Sequence, residues 1–367
     1  MQILITTDAV GGVWQYSLDL ARGLSARGCC PAIALLGPSP HPHQRAEMDT
    51  VPGLRFIETG LPLDWLSNSS EPIRQAGAAI ARLAMELGVD VVHLNMPTLA
   101  GAGGFGMPVV AVAHGCVSTW WEAAKDEPLD SQYEWHRQMM HEGLVAADRL
   151  VAPTASYAAT IKRLYNLART PDVVHNGRTS LPGSSPGAAP ADRALTVGRL
   201  WDRVKRADLL DKVASKLEVP FAAAGALIGP HGETAVLEHL VTLGQLSAAQ
   251  LGSELSAQPV FVSAASFEPF GLAVLEAANA RCALVLSDIP GFRELWDGAA
   301  LFVSGDDDAG YRQAIQSLLA DPGARARLSD AAALRAARYT PQASADAMLS
   351  IYSALLGRRT SSGRVAA

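Results

Sequence analysis

Short β-branched runs alternate with helical patterns along almost the whole of this sequence. That alternation restricts the chain to parallel sheets built from strand–helix–strand units. Strands are expected at 2–7, 31–36, 54–58, 90–94, 108–113, 149–152 and 171–174, with helices near 13–27, 71–88, 131–146 and 155–165. The stretch from Thr179 to Pro190 is rich in Gly, Pro and Ser and lacks periodicity, which marks a linker. The alternation then restarts, with strands at 194–198, 220–224, 239–243, 259–263 and 283–287 and helices at 204–216, 247–256, 271–281, 308–320, 322–338 and 343–356. The fold class read from this is α/β, with two doubly wound, Rossmann-like domains. Their boundaries fall at 1–175 and 193–340, with a linker at 176–192, a C-terminal helix at 341–357 and a tail at 358–367 expected to be disordered. Two such domains facing one another would form a cleft at the carboxyl ends of both sheets, where open α/β sheets bind ligands.

Length agrees with two domains, since 367 residues exceed one ordinary core. Apolar residues at 49% and charged residues at 18% allow both halves to bury real cores. The formal net charge is −6 and no block of Lys or Arg occurs, which argues against nucleic acid and against strong attraction to an anionic membrane. No apolar run reaches the roughly 18–20 residues of a membrane span. The first residues read as a strand, without the charged start and cleavage site of a signal peptide. Cys29 and Cys30 are adjacent while Cys116 and Cys282 stand alone, so neither a disulfide framework nor a zinc spacing is present. A reduced cytoplasmic setting is expected.

The second half carries the sharper chemistry. Gly198 and Arg199 end its first strand, and Lys205 with Arg206 opens the next helix. Cations at a helix N-terminus oppose the macrodipole by roughly 0.3–1 kcal/mol each. A bound diphosphate would turn that repulsion into a charge-assisted clamp; a solvated basic turn is the alternative. Further on, Ser266-Phe-Glu-Pro-Phe-Gly-Leu-Ala-Val-Leu-Glu276 sets Glu268 and Glu276 around a Phe270-Gly271-Leu272 turn that opens an apolar helix. Pro269 is tolerated ahead of the helix and Gly271 lets backbone approach a ligand. Helical side chains lean toward the N-terminus, so Glu276 can point back at the same site. Two carboxylates near phosphates are reconciled if both accept hydrogen bonds from hydroxyls, one set on a sugar and one on a ribose. A sugar nucleotide is such a ligand.

In the first half, Asp8-Ala-Val-Gly11-Gly12 joins a strand to a helix, where two glycines admit either a close anion or a plain tight turn. The run Gly101-Ala-Gly103-Gly-Phe-Gly106 fits the dinucleotide fingerprint but leads into a strand rather than a helix, and is rejected. His114 closes the strand 108–113 at a ligand-facing strand end. Trp14, Trp120, Trp121, Tyr133 and Trp135 are candidate acceptor contacts, because aromatic faces stack on sugar rings; packing as core is the alternative. Asp306-Asp-Asp308 precedes a helix and is read as capping rather than as a metal triplet.

Together these pieces resemble the retaining family 4 type of GT-B glycosyltransferases over nearly the whole chain. The resemblance is carried by the Gly11-Gly12 turn, His114, Val174-His-Asn176-Gly177, Gly198-Arg199 with Lys205, and Glu268-Pro-Phe-Gly-Leu with Glu276. It extends through Ser287-Asp288 with Glu294, Gly305-Asp306 and Asp321-Pro322. It implies a nucleoside diphosphate sugar as donor substrate, no bound metal and no other cofactor. Arg199 and Lys205 would bind the diphosphate, Glu276 the ribose and Glu268 the sugar hydroxyls. The backbone at Phe270, Gly271 and Leu272 would cradle sugar and phosphate, with Gly198 beside them. Gly11 and Gly12 would face the diphosphate from the acceptor domain, His114 would stand beside the transferring sugar, and the last helix would cross back onto the first domain. The sequence departs from the family at Arg206 and Arg281, where glycines are usual, and at Arg178-Thr179, which is expected to touch only the linker.

The implied activity is transfer of a sugar, with retention, to a glycan, lipid-linked or small-molecule acceptor in polysaccharide or glycoconjugate biosynthesis; peripheral membrane contact is compatible with it. A same-face substitution, with the leaving phosphate helping to deprotonate the acceptor, is the implied route. The alternatives are a sugar-nucleotide epimerase or phosphorylase on the same scaffold, or a non-catalytic sugar-nucleotide-binding protein.

Overall fold

The fold is that of a computed structural model, which describes residues 1–184 and 189–365. The chain divides into two compact units, Met1–Gly177 with Pro341–Ala367, and Arg178–Thr340.

The first unit begins β1 (Gln2–Asp8), α1 (Gly12–Ser25), β2 (Cys30–Leu36), α2 (Pro42–Met48), β3 (Arg55–Glu58), α3 (Ser70–Glu86) and β4 (Val91–Leu94). It continues with β5 (Val109–Val112), α4 (Val117–Ala124), α5 (Glu134–Ala146), β6 (Arg149–Ala152), α6 (Ala155–Leu164) and β7 (Asp172–Val173). All its strands are parallel, in the order β3-β2-β1-β4-β5-β6-β7. Both faces are covered. In β1, Ile3 and Ile5 enter a core with Trp14, Tyr16 and Leu20, while Leu4 enters a second core with Ile73, Ile80 and Leu94 on the other face. Strands buried on both sides read as continuous apolar runs for this reason.

The second unit comprises β8 (Ala194–Val197), α7 (Ala207–Ala214), β9 (Phe221–Ala224), β10 (Val241–Gly244), α8 (Ala248–Ser256) and β11 (Val260–Ser263). It is completed by α9 (Leu272–Asn279), β12 (Leu284–Ser287), α10 (Pro290–Trp296), β13 (Leu301–Val303), α11 (Asp308–Ala320) and α12 (Pro322–Ala336). Its parallel sheet runs β10-β9-β8-β11-β12-β13. The order reverses direction between β8 and β11, as it does between β1 and β4 in the first unit. Such a switch point opens a crevice at the strands' carboxyl ends.

The last helix, α13 (Pro341–Val365), packs on the first unit: Ala345, Met348, Tyr352 and Leu355 join the core around Trp14 and Leu24. Gly23 makes this approach possible, since a Cβ there would stand 2.6 Å from the Cβ of Ala345.

Several expectations are corrected. The tail from 358 is helical through Val365, and 366–367 lie outside the described residues. The linker is packed rather than loose over its first part: Arg178, Leu181 and Ser184 are buried in the second unit, and Leu181 joins its core. Residues 185–188 of the expected linker lie outside the described residues. Helices α2, α4 and α10 and strand β13 were not expected, and the helix expected from 204 begins at Ala207, after a 3-10 turn at Arg203–Lys205.

Candidate donor site

The 198–206 loop follows β8 and the 264–271 loop follows β11, so both leave the switch point of the second sheet side by side. A backbone hydrogen bond from Ser266 N to Val204 O, at 2.9 Å, ties the loops together. That tie brings Lys205 and Glu268 into one ion pair, with Nζ donating to Oε2 at 2.5 Å. About one fifth of each side chain is exposed, 19% and 20%, so the pair is held by protein yet reachable from solvent. Arg199 donates to Asp202 at 2.7 Å and lies over the Trp201 ring, 5.5 Å from its centroid. Asp202 is buried and also accepts from Val204 N at 3.3 Å, which starts the 3-10 turn that presents Lys205.

Gly271 is the N-cap of α9 at φ +90°, a conformation that disfavours any side chain, and a Cβ there would meet Phe292 at 3.1 Å and Glu268 at 3.2 Å. Phe270 is buried edge-on against Tyr339, so this residue offers a ligand its backbone and not its ring. The unsatisfied N–H groups of the helix's first turn and the aligned peptide dipoles make this start a favourable place for an anion.

Glu276 lies in the second turn of α9. Arg178 Nε donates to its Oε1 at 2.6 Å, with only 7% and 10% of the two side chains exposed. This corrects the expectation that Arg178 touches the linker alone: its side chain reaches the glutamate expected to hold the ribose. Its backbone is fastened on both sides, by Arg178 N to Tyr339 O at 3.1 Å and Asn279 Nδ2 to Arg178 O at 3.3 Å.

The two arginines at usual glycine positions both adopt left-handed backbone. Arg206 has φ +57° as N-cap of α7 and pairs with Asp306, and Arg281 has φ +62°. Around Arg281 the hydrogen bonds Cys282 N to Ala277 O and Arg281 N to Ala278 O form a complete Schellman ending, so the cap is kept and the residue carries the strain. Asp307 caps α11 by accepting from Gly310 N at 2.8 Å, in keeping with the capping role read for that triplet. Among the described residues no group of three His, Cys, Asp or Glu is placed to hold a metal ion, and no helix is long and apolar enough to cross a membrane.

In the first unit, His114 follows β5. Its Nε2 is 2.9 Å from Asn95 Oδ1, and the Tyr16 ring stands 4.4 Å away, edge-on. Asn95 Oδ1 also lies 2.9 Å from Nε2 of His93, whose Nδ1 is 2.6 Å from the Tyr352 hydroxyl on α13. Burial pushes both imidazoles down, His93 to about 4 and His114 to about 3. At the α1 entrance the Asp8 carboxylate accepts from Val10 N and Gly11 N at 2.8 and 3.2 Å, with Gly11 as an extended N-cap and Gly12 as the first helical residue.

The aromatic candidates separate. Trp14 is 2% exposed, packs edge-on against Phe56 and donates to Glu47 at 3.3 Å; it is a core residue and is withdrawn as an acceptor contact. Trp135 packs at the edge of the core beside His136. Trp120, Trp121 and Tyr133 form a half-exposed group, with Lys125 Nζ 5.6 Å from the centre of the Trp121 ring. Asn95 and Asp202 carry no signal in the sequence, and Arg178 shows there only as a departure from the family, because each acts through a partner distant in sequence or through backbone.

The sequence matches the family model described as Glycosyltransferase Family 4 over residues 10–178, and that described as Glycosyl transferases group 1 over residues 192–335. A glycogen synthase of Mycobacterium tuberculosis is 26% identical over 372 residues, covering 89% of this chain and 86% of that one. Among solved structures, sucrose-phosphate synthase from Thermosynechococcus elongatus superposes with a TM-score of 0.81 at 19% identity, covering 98% of this chain and 100% of that one. HepE of Anabaena, in complex with UDP-glucose, gives a TM-score of 0.74 at 15% identity, with 97% and 100% covered.

Proposed function

The chain is a GT-B glycosyltransferase of the family 4 type, and from that premise we propose that it is a retaining, metal-independent enzyme whose donor is a uridine diphosphate hexose. The observation that carries the reading is the Lys205–Glu268 pair beside the Gly271 start of α9. A cation and a carboxylate at 2.5 Å satisfy each other, and a sugar diphosphate offers each a better-matched partner. Lys205 turns to a phosphate oxygen and Glu268 accepts from a sugar hydroxyl. Arg199 adds a second cation, and the start of α9 adds dipole and N–H groups. These are fixed donors aimed at charge that develops on the leaving diphosphate, which is electrostatic catalysis by preorganisation. Glu276, steadied by Arg178, accepts from the ribose.

In the proposed step the bond from the anomeric carbon to the diphosphate breaks and the acceptor oxygen bonds to the same face of that carbon. The acceptor proton passes to a phosphate oxygen of the departing nucleotide. A neutral glycan, lipid-linked sugar or small molecule is the proposed acceptor, with Trp120, Trp121 and Tyr133 as its stacking surface. The choice of UDP is supported by the Anabaena structure, which holds UDP-glucose. Four unpaired cysteines fit a reduced, cytoplasmic setting.

The test is a thermal-shift screen of UDP-, GDP- and ADP-sugars, followed by turnover with an acceptor panel in the presence of a chelator. A rise in melting temperature with UDP-hexoses and an α-linked product from an α-linked donor are expected. Inversion at the anomeric carbon, or loss of turnover on chelation, would sink the corresponding part of the reading.

A further inference from the structure

The second unit holds a cavity of about 340 Å³ at the amino ends of its strands, the opposite end of the sheet from Lys205 and Glu268. Of its lining residues, Asp192 stands two residues before β8, Gln258 two before β11 and Arg281 three before β12. Helix α12 closes over them with Arg325 and Ser329, while Leu319 and Pro322 supply apolar wall.

Arg325 is only 5% exposed. Its Nη2 donates to Ala191 O at 2.6 Å and to Gln258 O at 2.7 Å, which staples α12 to the amino ends of β8 and β11. Its Nη1 reaches Asp192 Oδ1 at 3.3 Å, and the buried Nε has no hydrogen-bond partner among the described residues. An enclosed guanidinium with a donor to spare lacks the acceptor that buried polar groups ordinarily find. Burial works against its charge, and the Asp192 carboxylate that opposes this effect is itself 76% exposed.

Two other lining residues keep their side chains in spite of backbone strain. Gln258 has φ +49° and Arg281 φ +62°, in the left-handed region that glycine enters freely. Among the described non-glycine residues only Asn166 and Arg206 share that region. Gln258 Nε2 donates to Arg281 O at 3.4 Å, which joins the two strained turns. Strain of this kind gathers where the side chain has a use.

We propose that this cavity binds a small organic phosphate, with Arg325 and Arg281 on the phosphate oxygens and Gln258 and Ser329 on the hydroxyls of the carbon skeleton. Two guanidinium groups match a dianion that offers three oxygens. Asp192 and Asp330 hold the arginines otherwise; both carboxylates are mostly exposed and move to water when a phosphate takes their place. The volume lies within the roughly 300–1,000 Å³ of small-molecule sites, which suits a skeleton up to a hexose. The site belongs to one unit and does not depend on the proposed function.

Calorimetric titration of the full chain with glycerol 3-phosphate, a hexose 6-phosphate, inorganic phosphate and the unphosphorylated hexose tests this. The organic phosphates are expected to bind saturably with Kd below about 1 mM, inorganic phosphate more weakly and the neutral hexose not at all. No saturable binding, or inorganic phosphate bound as well as the esters, would overturn the proposal.

Variants locate the heat. Arg281→Gly removes a cation while relieving its strain, and Ala326→Trp fills the cavity from an exposed position on α12; each should weaken binding by about tenfold or more. Lys205→Met, at the other end of the sheet, should leave this binding unchanged. Asp330→Asn frees Arg281 from its exposed partner and should tighten binding by about twofold to fivefold. Binding that survives in both Arg281→Gly and Ala326→Trp, or that disappears in Lys205→Met, puts the phosphate elsewhere and overturns the proposal. Weaker binding in Asp330→Asn overturns the exchange of carboxylate for phosphate.

Discussion

Arg178 Nε and Glu276 Oε1 stand 2.6 Å apart, joining the first residue of the second unit to the second turn of α9 across 98 residues of sequence. A charge enclosed to this degree is tolerated because it is paired and hydrogen-bonded, so losing one partner is worse than never having had the pair.

Arg178→Leu is therefore expected to lose about 3–5 kcal/mol in the transition assigned to the second unit, by urea denaturation followed through tryptophan fluorescence. Arg178→Leu with Glu276→Leu should recover much of that loss while leaving donor binding weak. A single variant as stable as the parent would show that the pair does not matter to folding.

Arg281 closes a Schellman ending in a backbone conformation that glycine adopts without strain. Arg281→Gly should raise stability by about 1 kcal/mol despite the loss of its exposed ion pair with Asp330. The check is the midpoint of thermal unfolding, with Arg281→Ala as control, since alanine removes the ion pair and keeps the strain. Equal midpoints for the glycine and alanine variants would refute the argument.

Lys205→Met removes a cation aimed at the departing diphosphate, and kcat is expected to fall by about 10²–10³ with a smaller change in KM. Glu268→Gln keeps shape and one acceptor, so it should relax discrimination among sugars epimeric at one hydroxyl. Steady-state kinetics over a donor panel reads both effects. A change confined to KM in the lysine variant would place Lys205 in ground-state binding instead.

The His93 ring is fully buried and its value is depressed to about 4. An unfolded histidine titrates near 6.5, so between those values the unfolded chain binds the extra proton and the folded one does not. Stability held above pH 6.5 should then fall as pH drops toward 4, by up to about 1.4 kcal/mol per pH unit from this group. Denaturation midpoints at pH 7, 6 and 5 should show a shallower acid slope in His93→Gln than in the parent.

Much of this architecture was legible because a strand buried on both faces leaves an unbroken apolar run, as in Val91–Leu94 and Leu284–Ser287. The elements that escaped are short or amphipathic by contact rather than by pattern. Helix α10 has seven residues, too few for periodicity to declare itself, and α4 is dense in aromatics that read equally well as a binding surface. The site divided in the same way. Lys205, Glu268 and Gly271 sit in motifs whose spacing carries meaning, whereas Arg178 and Asn95 gain theirs from partners 98 and 19 residues away. Trp14 shows the converse: an aromatic face that could stack on a sugar ring is claimed by the core instead.

The return of α13 sets an order of events during synthesis. The core around Trp14 and Leu24 lacks Ala345, Met348, Tyr352 and Leu355 until synthesis has passed residue 355. The unit begun first is thus completed only after Arg178–Thr340 has been made, and Arg178–Thr340 can close over its own sheet beforehand. Chains ending at Thr340 and released from the ribosome should yield a protease-resistant second unit beside a first unit that is still cut.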